Sequence, residues 1–213
     1  DLEIASSHRT VKQRYKDIKV DLDGYLKDSC EVYVYGSPDF TFEDFCGDKL
    51  GDVKKKYPQM ITDTGEDIIK ISDYNRLMKL YGRKQYTLAS DEYMVIADFD
   101  NMMQLRDEVL SSGQTIEVFG STLKPKYRKC QEGFLDISAQ SLNTGIILVP
   151  DDVVQEKWIK QDCLFGNYKA VSKQEKQKLE KEIRSSSLKG KYIYASKQEL
   201  ADASLGLSAL VTF

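Results

Sequence analysis

Residues 67–82 run Asp-Ile-Ile-Lys-Ile-Ser-Asp-Tyr-Asn-Arg-Leu-Met-Lys-Leu-Tyr-Gly and join a short strand to the clearest helix of the chain. The first five residues are rich in isoleucine and predict a strand. Ser72 predicts the N-cap of the helix, because its hydroxyl can accept a hydrogen bond from the first turn. Gly82 predicts the helix end, since glycine readily adopts the left-handed conformation. One face of this helix is apolar and carries Leu77, Leu80 and Tyr81.

Upstream of this unit, the patterns predict one helix and two strands. The first fifteen residues, ending at Tyr15, are polar and predict a helix. Apolar and polar residues alternate over 18–22 and again over 31–35, which predicts two half-buried strands. The second of these strands ends at the turn signal Gly-Ser-Pro of residues 36–38.

A second upstream helix is predicted from its first residues. Thr41 followed by Asp44 approximates a capping box, in which the two side chains bond each other's backbone N–H groups. The helix should run toward Lys56. Its buried side would carry Phe42, Phe45 and Val53.

Downstream of Gly82, strand and helix patterns continue to alternate. Strands are predicted over residues 93–97, 115–119, 145–149 and 192–194. Helices are predicted over residues 101–111, 151–159, 172–184 and 197–203. The sequence therefore predicts an α+β fold in which one mixed sheet is flanked by helices. We expect residues 1–213 to form a single domain. If it divides into two small lobes, the boundary should lie near residues 120–130, around Lys-Pro-Lys-Tyr-Arg at Lys124–Arg128.

Composition excludes several classes of protein. The chain has 213 residues, of which 41% are hydrophobic and 31% charged, and this is typical of a globular protein. Lys and Arg number 31 against 34 Asp and Glu, so a dedicated nucleic-acid partner is not expected. Residues 1–100 carry 15 basic and 20 acidic side chains. This acidic excess fits a cationic partner, and an ordinary solvated surface explains it equally well.

The sequence also lacks the signatures of common enzymes. His8 is the single histidine, so a multi-histidine zinc site cannot form, and we expect His8 to be solvent-exposed. No phosphate-binding loop, dinucleotide fingerprint or nucleophile elbow is present. Asp98 and Asp100 follow an apolar strand, where catalytic acids often lie, and they are the only support for an enzyme. We therefore expect no catalytic residues, metal or cofactor.

Four cysteines occur without a Cys-x-x-Cys pair, at Cys30, Cys46, Cys130 and Cys163. In an oxidising compartment they could form up to two disulfides, and Cys30 with Cys46 is the pair nearest in sequence. The alternative is four buried free thiols that behave as small hydrophobic residues.

The last ten residues, 204–213, carry no charge. They fit either an apolar helix that docks on the core or the start of a transmembrane helix, which needs about 20 apolar residues.

Together, this tail and three internal stretches resemble FtsX-like ABC transporter permeases. Residues 71–82 are similar to a recurring stretch in that family, as are Gly120–Leu123 and Ile147–Val154. The nearest branch is the Bce type, whose members provide resistance to, and sensing of, peptide antibiotics. That branch carries one large extracellular domain between its seventh and eighth transmembrane helices.

The resemblance implies a location and a set of partners. The domain would lie on the extracellular face of the cell membrane of a Gram-positive bacterium, with Asp1 and Phe213 close together on its membrane side. Its ligand would be an antimicrobial peptide or a lipid-linked cell-wall precursor. A separate cytoplasmic subunit would bind and hydrolyse ATP, and a membrane sensor histidine kinase would read the state of the transporter. The alternatives are a stand-alone secreted ligand-binding domain and an FtsX-like permease with another export role.

Two acidic clusters are candidates for binding a cationic peptide. The first comprises Glu43, Asp44, Asp48 and Asp52, and the second comprises Asp98 and Asp100. Tyrosines would surround the bound peptide, with charge steering the encounter and aromatic burial holding it. The simpler alternative for each cluster is a solvated helix face or a helix N-cap.

Two further groups of residues have simple structural explanations. Asp151 and Asp152 are most simply carboxylates at a helix start, favoured there by the helix dipole. Tyr33 and Tyr35 share one face of a strand, which is either core or ligand-facing.

Overall fold

The computed structural model describes residues 2–6, 20–37, 39–61, 64–135, 144–185 and 194–196. Within these ranges, ten strands form one sheet in the order β10-β1-β9-β2-β3-β8-β4-β6-β5, with β7 beside β4. The strands are β1 (Leu2–Ser6), β2 (Leu26–Tyr35), β3 (Ile68–Lys70), β4 (Glu92–Ala97), β5 (Ile116–Val118), β6 (Ser121–Pro125), β7 (Gln131–Glu132), β8 (Ile146–Val149), β9 (Ile159–Tyr168) and β10 (Tyr194–Ser196). The helices are α1 (Leu22–Tyr25), α2 (Phe42–Cys46), α3 (Leu50–Lys56), α4 (Ile71–Leu80), α5 (Asp100–Ser111) and α6 (Lys173–Ser185).

The sheet is mixed, as the sequence predicts. β3 pairs with β8 in parallel, and β4 pairs in parallel with β6 and β7. The pairs of β4 with β8, of β2 with β9 and of β1 with β9 are antiparallel. Helices lie on both faces, so the prediction of a mixed sheet flanked by helices is confirmed.

Alternate residues of the central strands enter two separate cores, because successive side chains of a strand point to opposite faces. On one face, Tyr35, Val95 and Ile147 pack with Phe42, Phe45 and Val53 of α2 and α3 and with Leu105 and Val109 of α5. On the other face, Val34, Ile96 and Leu148 pack with Tyr74, Leu77 and Met78 of α4. A third, smaller core lies under α6 and contains Leu22, Leu26, Leu164, Leu179 and Ile183.

Three sequence predictions about element type are wrong. Leu2–Ser6 forms a strand between β9 and β10, where a helix was expected. Leu22 begins the short helix α1, capped by Asp21, where a strand was expected. Residues 151–158 form two 3₁₀ turns in place of a helix, and β9 follows them. The strand β9 went unpredicted because its polar residues, such as Asp162 and Asn167, break the alternation of apolar side chains that marks a strand.

The cap of α4 also differs from the prediction. The helix begins at Ile71, and Ser72 makes no N-cap. Instead, the backbone N–H of Ser72 donates to Asp151 Oδ1 at 3.1 Å. A carboxylate 79 residues away therefore accepts a hydrogen bond from a backbone N–H of the first turn. This agrees with the preference of helix N-termini for negative charge. The end of α4 is as predicted, since Gly82 has a φ of 63°.

None of the four cysteines, all of which lie in the described ranges, is joined in a disulfide. Cys46 packs in the core beside α2, whereas Cys30 packs against the core beside α4. The two lie on opposite faces of the sheet, so this fold does not form the Cys30–Cys46 disulfide that the spacing suggested.

The stretch proposed as a lobe boundary contains β6, which pairs with β4. No helix in the described ranges is long and apolar enough to cross a membrane. The predicted helix at 197–203, the apolar tail at 204–213 and His8 lie outside the described residues.

Candidate functional site

A groove of about 510 Å³ lies at the edge of the sheet where β5 is the last strand. We call it the acidic groove; it is lined by Asp39, Phe40, Glu43, Asp44, Gly47, Leu50, Thr115, Ile116 and Glu117. Four of these residues carry carboxylates and none carries a positive charge. Phe40 and Ile116 are buried and form an apolar floor beneath the charged rim.

The start of α2 holds one wall of the acidic groove. Thr41 and Asp44 form the predicted capping box: the Thr41 N–H donates to Asp44 Oδ2 at 2.7 Å, and the Asp44 N–H donates to Thr41 Oγ1 at 3.3 Å. The Thr41 hydroxyl also donates to Asp44 Oδ2, at 2.6 Å. These bonds hold the pKa of Asp44 below its ordinary value, so its carboxylate is charged at neutral pH.

Gly47 turns the chain away from the end of α2. Its φ of 50° lies in the left-handed region. A Cβ there would also overlap the side chain of Gln114, which approaches the glycine from the segment before β5. The Gln114 side chain could move aside, so the left-handed backbone is what favours glycine at this turn.

The opposite wall is the edge strand β5. It is joined to β6 by the turn residues Phe119 and Gly120, with φ values of 54° and 83°. Positive φ at both central residues is the signature of a type I′ hairpin turn, which matches the twist of the flanking strands. The hairpin register pairs Glu117 with Thr122.

A buried ion pair anchors the back of α2. Arg106 Nη2 lies 2.9 Å from Glu66 Oε2 and 3.1 Å from Oε1, and both side chains are only 3% exposed. Arg106 Nε donates to the Thr144 carbonyl at 2.9 Å. The guanidinium carbon is 4.8 Å from the ring centroids of both Phe42 and Phe45. The wall that carries Glu43 and Asp44 therefore packs on a fixed cation–aromatic stack.

A second groove, of about 710 Å³, lies beyond the carboxyl ends of the parallel strands β4 and β7. We call it the mixed-charge groove, because its lining includes both cations and carboxylates. The lining residues are Met78, Arg83, Lys84, Tyr86, Asp98, Asp100, Met103, Cys130, Gln131, Glu132, Gly133 and Phe134. Burial raises the pKa of Cys130 to about 12, so this thiol is protonated at neutral pH.

The structure distributes the predicted acidic residues unevenly. Glu43 and Asp44 line the acidic groove, whereas Asp48 and Asp52 are exposed outside it. Asp98 and Asp100 line the mixed-charge groove, where Tyr86 supplies the expected tyrosine. The acidic groove has no tyrosine in its lining and uses Phe40 as its aromatic residue.

The strand tyrosines Tyr33 and Tyr35, and Asp151, have structural roles. Tyr33 and Tyr35 share one face of β2 as predicted, and both pack against the core beside α2. Burial raises the pKa of Tyr33 to about 12. Asp151 bonds to Ser72 at the start of α4, as described above.

Sequence patterns missed Asp39, Glu117 and the Glu66–Arg106 pair. Glu117 reaches the acidic groove only because β5 is placed beside α2 by the sheet. Glu66 and Arg106 lie 40 residues apart, beyond the range of any local pattern. An arginine at a core position of the amphipathic helix α5 is the one signal that could have indicated a buried charge.

Comparisons with known proteins do not assign a family. No family model matches the chain, and no curated protein matches it. One similar solved structure is a Bacillus anthracis protein assigned as a lipoprotein, with 9% sequence identity, a TM-score of 0.48, and coverage of 90% of this chain and 95% of that one. Another is the periplasmic region of MacB from Actinobacillus actinomycetemcomitans, with 10% identity, a TM-score of 0.37, and coverage of 95% and 91%. Both TM-scores are below 0.5, so neither similarity defines the function of this chain.

Proposed function

We propose that this chain is the extracellular domain of an FtsX-like ABC transporter permease of the Bce type, and that its acidic groove binds cationic amphipathic peptides. The parent transporter would provide resistance to antimicrobial peptides, or sensing of them, at the cell membrane of a Gram-positive bacterium. The sequence resemblance supplies the transporter setting. The acidic groove is the single observation that carries the ligand class, because it combines four carboxylates with an apolar floor and no cation in its lining.

The groove suits a ligand that is both positively charged and apolar. Negative charges that line a concave surface raise the local concentration of cations and steer their approach. The floor of Phe40 and Ile116 would then bury an apolar side chain of the peptide. Glu43 already pairs with Lys54 at 2.8 Å, and a peptide cation would compete with this exposed lysine.

The pairing of the first and last described strands supports the transporter setting. Leu2 of β1 pairs with Ser196 of β10, so the first and last described strands are neighbours. Such an arrangement suits a domain inserted between two membrane-spanning helices, through which motion of the membrane part would reach both ends of the domain. Asp1 and Phe213 themselves lie outside the described residues.

The proposal assigns this domain a binding role without chemistry of its own. A cytoplasmic subunit would bind and hydrolyse ATP, and a membrane histidine kinase would read the transporter's state. A lipid-linked cell-wall precursor is the second ligand to test, alone and in complex with the peptide.

Isothermal titration of this chain with a cationic lantibiotic, and separately with a bacitracin-like peptide, tests the proposal. The triple variant Asp39→Asn/Glu43→Gln/Glu117→Gln removes three charges from the groove and leaves the Asp44 cap intact. Exposed ion pairs contribute about 0.5 kcal/mol each, so affinity should fall about tenfold.

The matched control is Asp23→Asn/Asp48→Asn/Asp52→Asn, which changes the net charge equally at exposed positions outside the groove. It should bind the peptide nearly as well as the unmodified chain. An equal loss of affinity in both triple variants would show that only net charge matters. Absence of heat with every peptide, free or lipid-complexed, would contradict the binding role.

A further inference from the structure

We propose that the mixed-charge groove is a separate binding site for a short zwitterionic peptide, whose carboxylate contacts Arg83 and Lys84 and whose ammonium group contacts Asp100 and Glu132. This proposal does not depend on the function proposed for the acidic groove. It rests on the placement of the groove, on a loop that carries two cations and is held at both ends, and on opposite charges that form no ion pair with each other in the described residues.

The cationic wall is fixed by the end of α4. The Gly82 N–H donates to the Lys79 carbonyl at 3.2 Å, and the Arg83 N–H donates to the Met78 carbonyl at 2.8 Å. These two bonds, with Gly82 in the left-handed conformation, form a Schellman motif. Arg83 and Lys84 therefore leave the helix in a defined direction.

Asn75 fixes the other end of the same loop. Its Nδ2 donates to the Tyr86 carbonyl at 2.7 Å, and its Oδ1 accepts from the Tyr86 N–H at 2.9 Å. The Tyr86 hydroxyl donates to the Glu132 carbonyl at 3.2 Å, which ties the loop to β7. Lys84 Nζ lies 4.8 Å from the centroid of the Tyr86 ring, a cation–π distance. The loop is thus held at both ends before any ligand arrives.

The acidic wall comes from a different part of the fold. Asp100 is the first residue of α5, and Glu132 ends β7, which runs parallel to β4. Both carboxylates are exposed. In sheets with parallel strands, ligands commonly bind outside the carboxyl ends of those strands, and the groove lies at this place.

The opposite charges do not neutralise each other. In the part of the chain that the structure describes, neither Arg83 nor Lys84 forms an ion pair, and neither does Asp100 or Glu132. A groove of about 710 Å³ with two separate charged walls is complementary to a ligand that is charged at both ends. A short peptide with free termini has this charge pattern, and its side chains would lie on Met103 and Phe134.

The peptide Ala-Phe-Ala and its blocked forms test the proposal. Titration into the isotope-labelled chain, followed by NMR, should shift the amide signals of Lys84, Tyr86, Glu132 and Phe134. N-acetylation should weaken binding about two- to fivefold, and so should C-amidation, because each removes one exposed ion pair. Blocking both ends should weaken binding further.

Paired variants assign each end of the peptide to a wall. In Arg83→Gln/Lys84→Gln, C-amidation should no longer change affinity, whereas N-acetylation still should. In Asp100→Asn/Glu132→Gln, the opposite pattern should appear. The controls Lys55→Gln/Lys79→Gln and Asp48→Asn/Asp52→Asn change the same charges on exposed residues outside the groove and should keep both effects.

The following results would overturn the proposal. The first is no shift of groove signals at 10 mM peptide. The second is equal binding of the free and doubly blocked peptides, which would indicate an apolar site. The third is a C-amidation effect that persists in Arg83→Gln/Lys84→Gln. If inorganic phosphate shifts the same signals as strongly as the peptide, the cationic wall is a site for simple anions and not for the peptide.

Discussion

At the scale of single residues, Arg106 is a buried charged side chain that supports one wall of the acidic groove. It is buried, pairs with Glu66 and stacks on Phe42 and Phe45, which lie behind the groove wall. Arg106→Ala would leave the Glu66 carboxylate buried and unpaired, which costs about 3–5 kcal/mol of unfolding free energy. Urea denaturation measures this loss. Arg83→Ala, at an exposed arginine, should change stability by less than about 0.5 kcal/mol.

A double variant separates two contributions to the free energy of unfolding: the destabilisation caused by an unpaired buried charge, and the net stabilisation by the ion pair. Glu66→Leu/Arg106→Met should be less destabilised than either single substitution, because no buried charge remains. If Arg106→Ala proves as stable as the unmodified chain, the anchoring role of this pair is wrong.

Asp44 gives a prediction about pH. Hydrogen bonds from Thr41 hold its folded-state pKa below the ordinary value of about 3.9. The folded state therefore favours the ionised carboxylate, and this preference adds to the free energy of unfolding. The added stability is complete above about pH 4 and is lost as the pH falls through the folded-state pKa. Asp44→Ala should cost about 1 kcal/mol at pH 7, and the difference from the unmodified chain should shrink toward pH 2.

Chemical denaturation across this pH range checks the capping effect, with Asp48→Ala as the control. Asp48 is exposed and makes no cap in the structure, so its replacement should have little effect at either pH. A difference between Asp44→Ala and the unmodified chain that is unchanged from pH 7 to pH 2 would disprove the role of the ionised cap.

At the scale of elements, alanine substitutions at two glycines in open surroundings test the effect of backbone conformation without a change in packing. A Cβ on either Gly82 or Gly51 would meet nothing within 4 Å. Gly82 has a φ of 63°, whereas Gly51 lies inside α3. Gly82→Ala should destabilise the chain by about 1 kcal/mol, because it strains the Schellman motif. Gly51→Ala should stabilise it by up to about 1 kcal/mol, since alanine favours the helix. If the midpoint temperature of thermal unfolding shifts in the same direction in both variants, this assignment is wrong.

The same elements show which features the sequence could predict. The Thr41–Asp44 cap and the Gly82 stop depend on neighbouring residues, so their patterns were sufficient. The start of α4 depends on Asp151, which only the folded chain brings to Ser72. Likewise, β9 lies inside the sheet because it pairs with β1 and β2. Its polar residues break the local alternation of apolar side chains, so the sequence pattern did not predict this strand. Candidate carboxylates could be named from sequence, but tertiary packing decided which of them share a groove.

At the scale of the whole molecule, the two grooves differ in charge pattern and should differ in response to salt. The acidic groove relies on exposed charges of one sign. The Debye length falls from about 10 Å at 0.1 M salt to about 3 Å at 1 M, so lantibiotic binding should weaken strongly over this range. Titration at both salt concentrations measures the effect. Affinity that is independent of salt would mean that apolar contacts alone bind the peptide.

Mapping the bound peptide by NMR shows whether the acidic groove is the binding site. A cationic lantibiotic added to the isotope-labelled chain should shift the amide signals of Phe40, Glu43, Gly47, Thr115 and Glu117, which line the acidic groove. The signals of α6, on another part of the surface, should stay in place. Shifts confined to surfaces away from the acidic groove, or no shifts at saturating peptide, would show that the acidic groove does not bind the peptide.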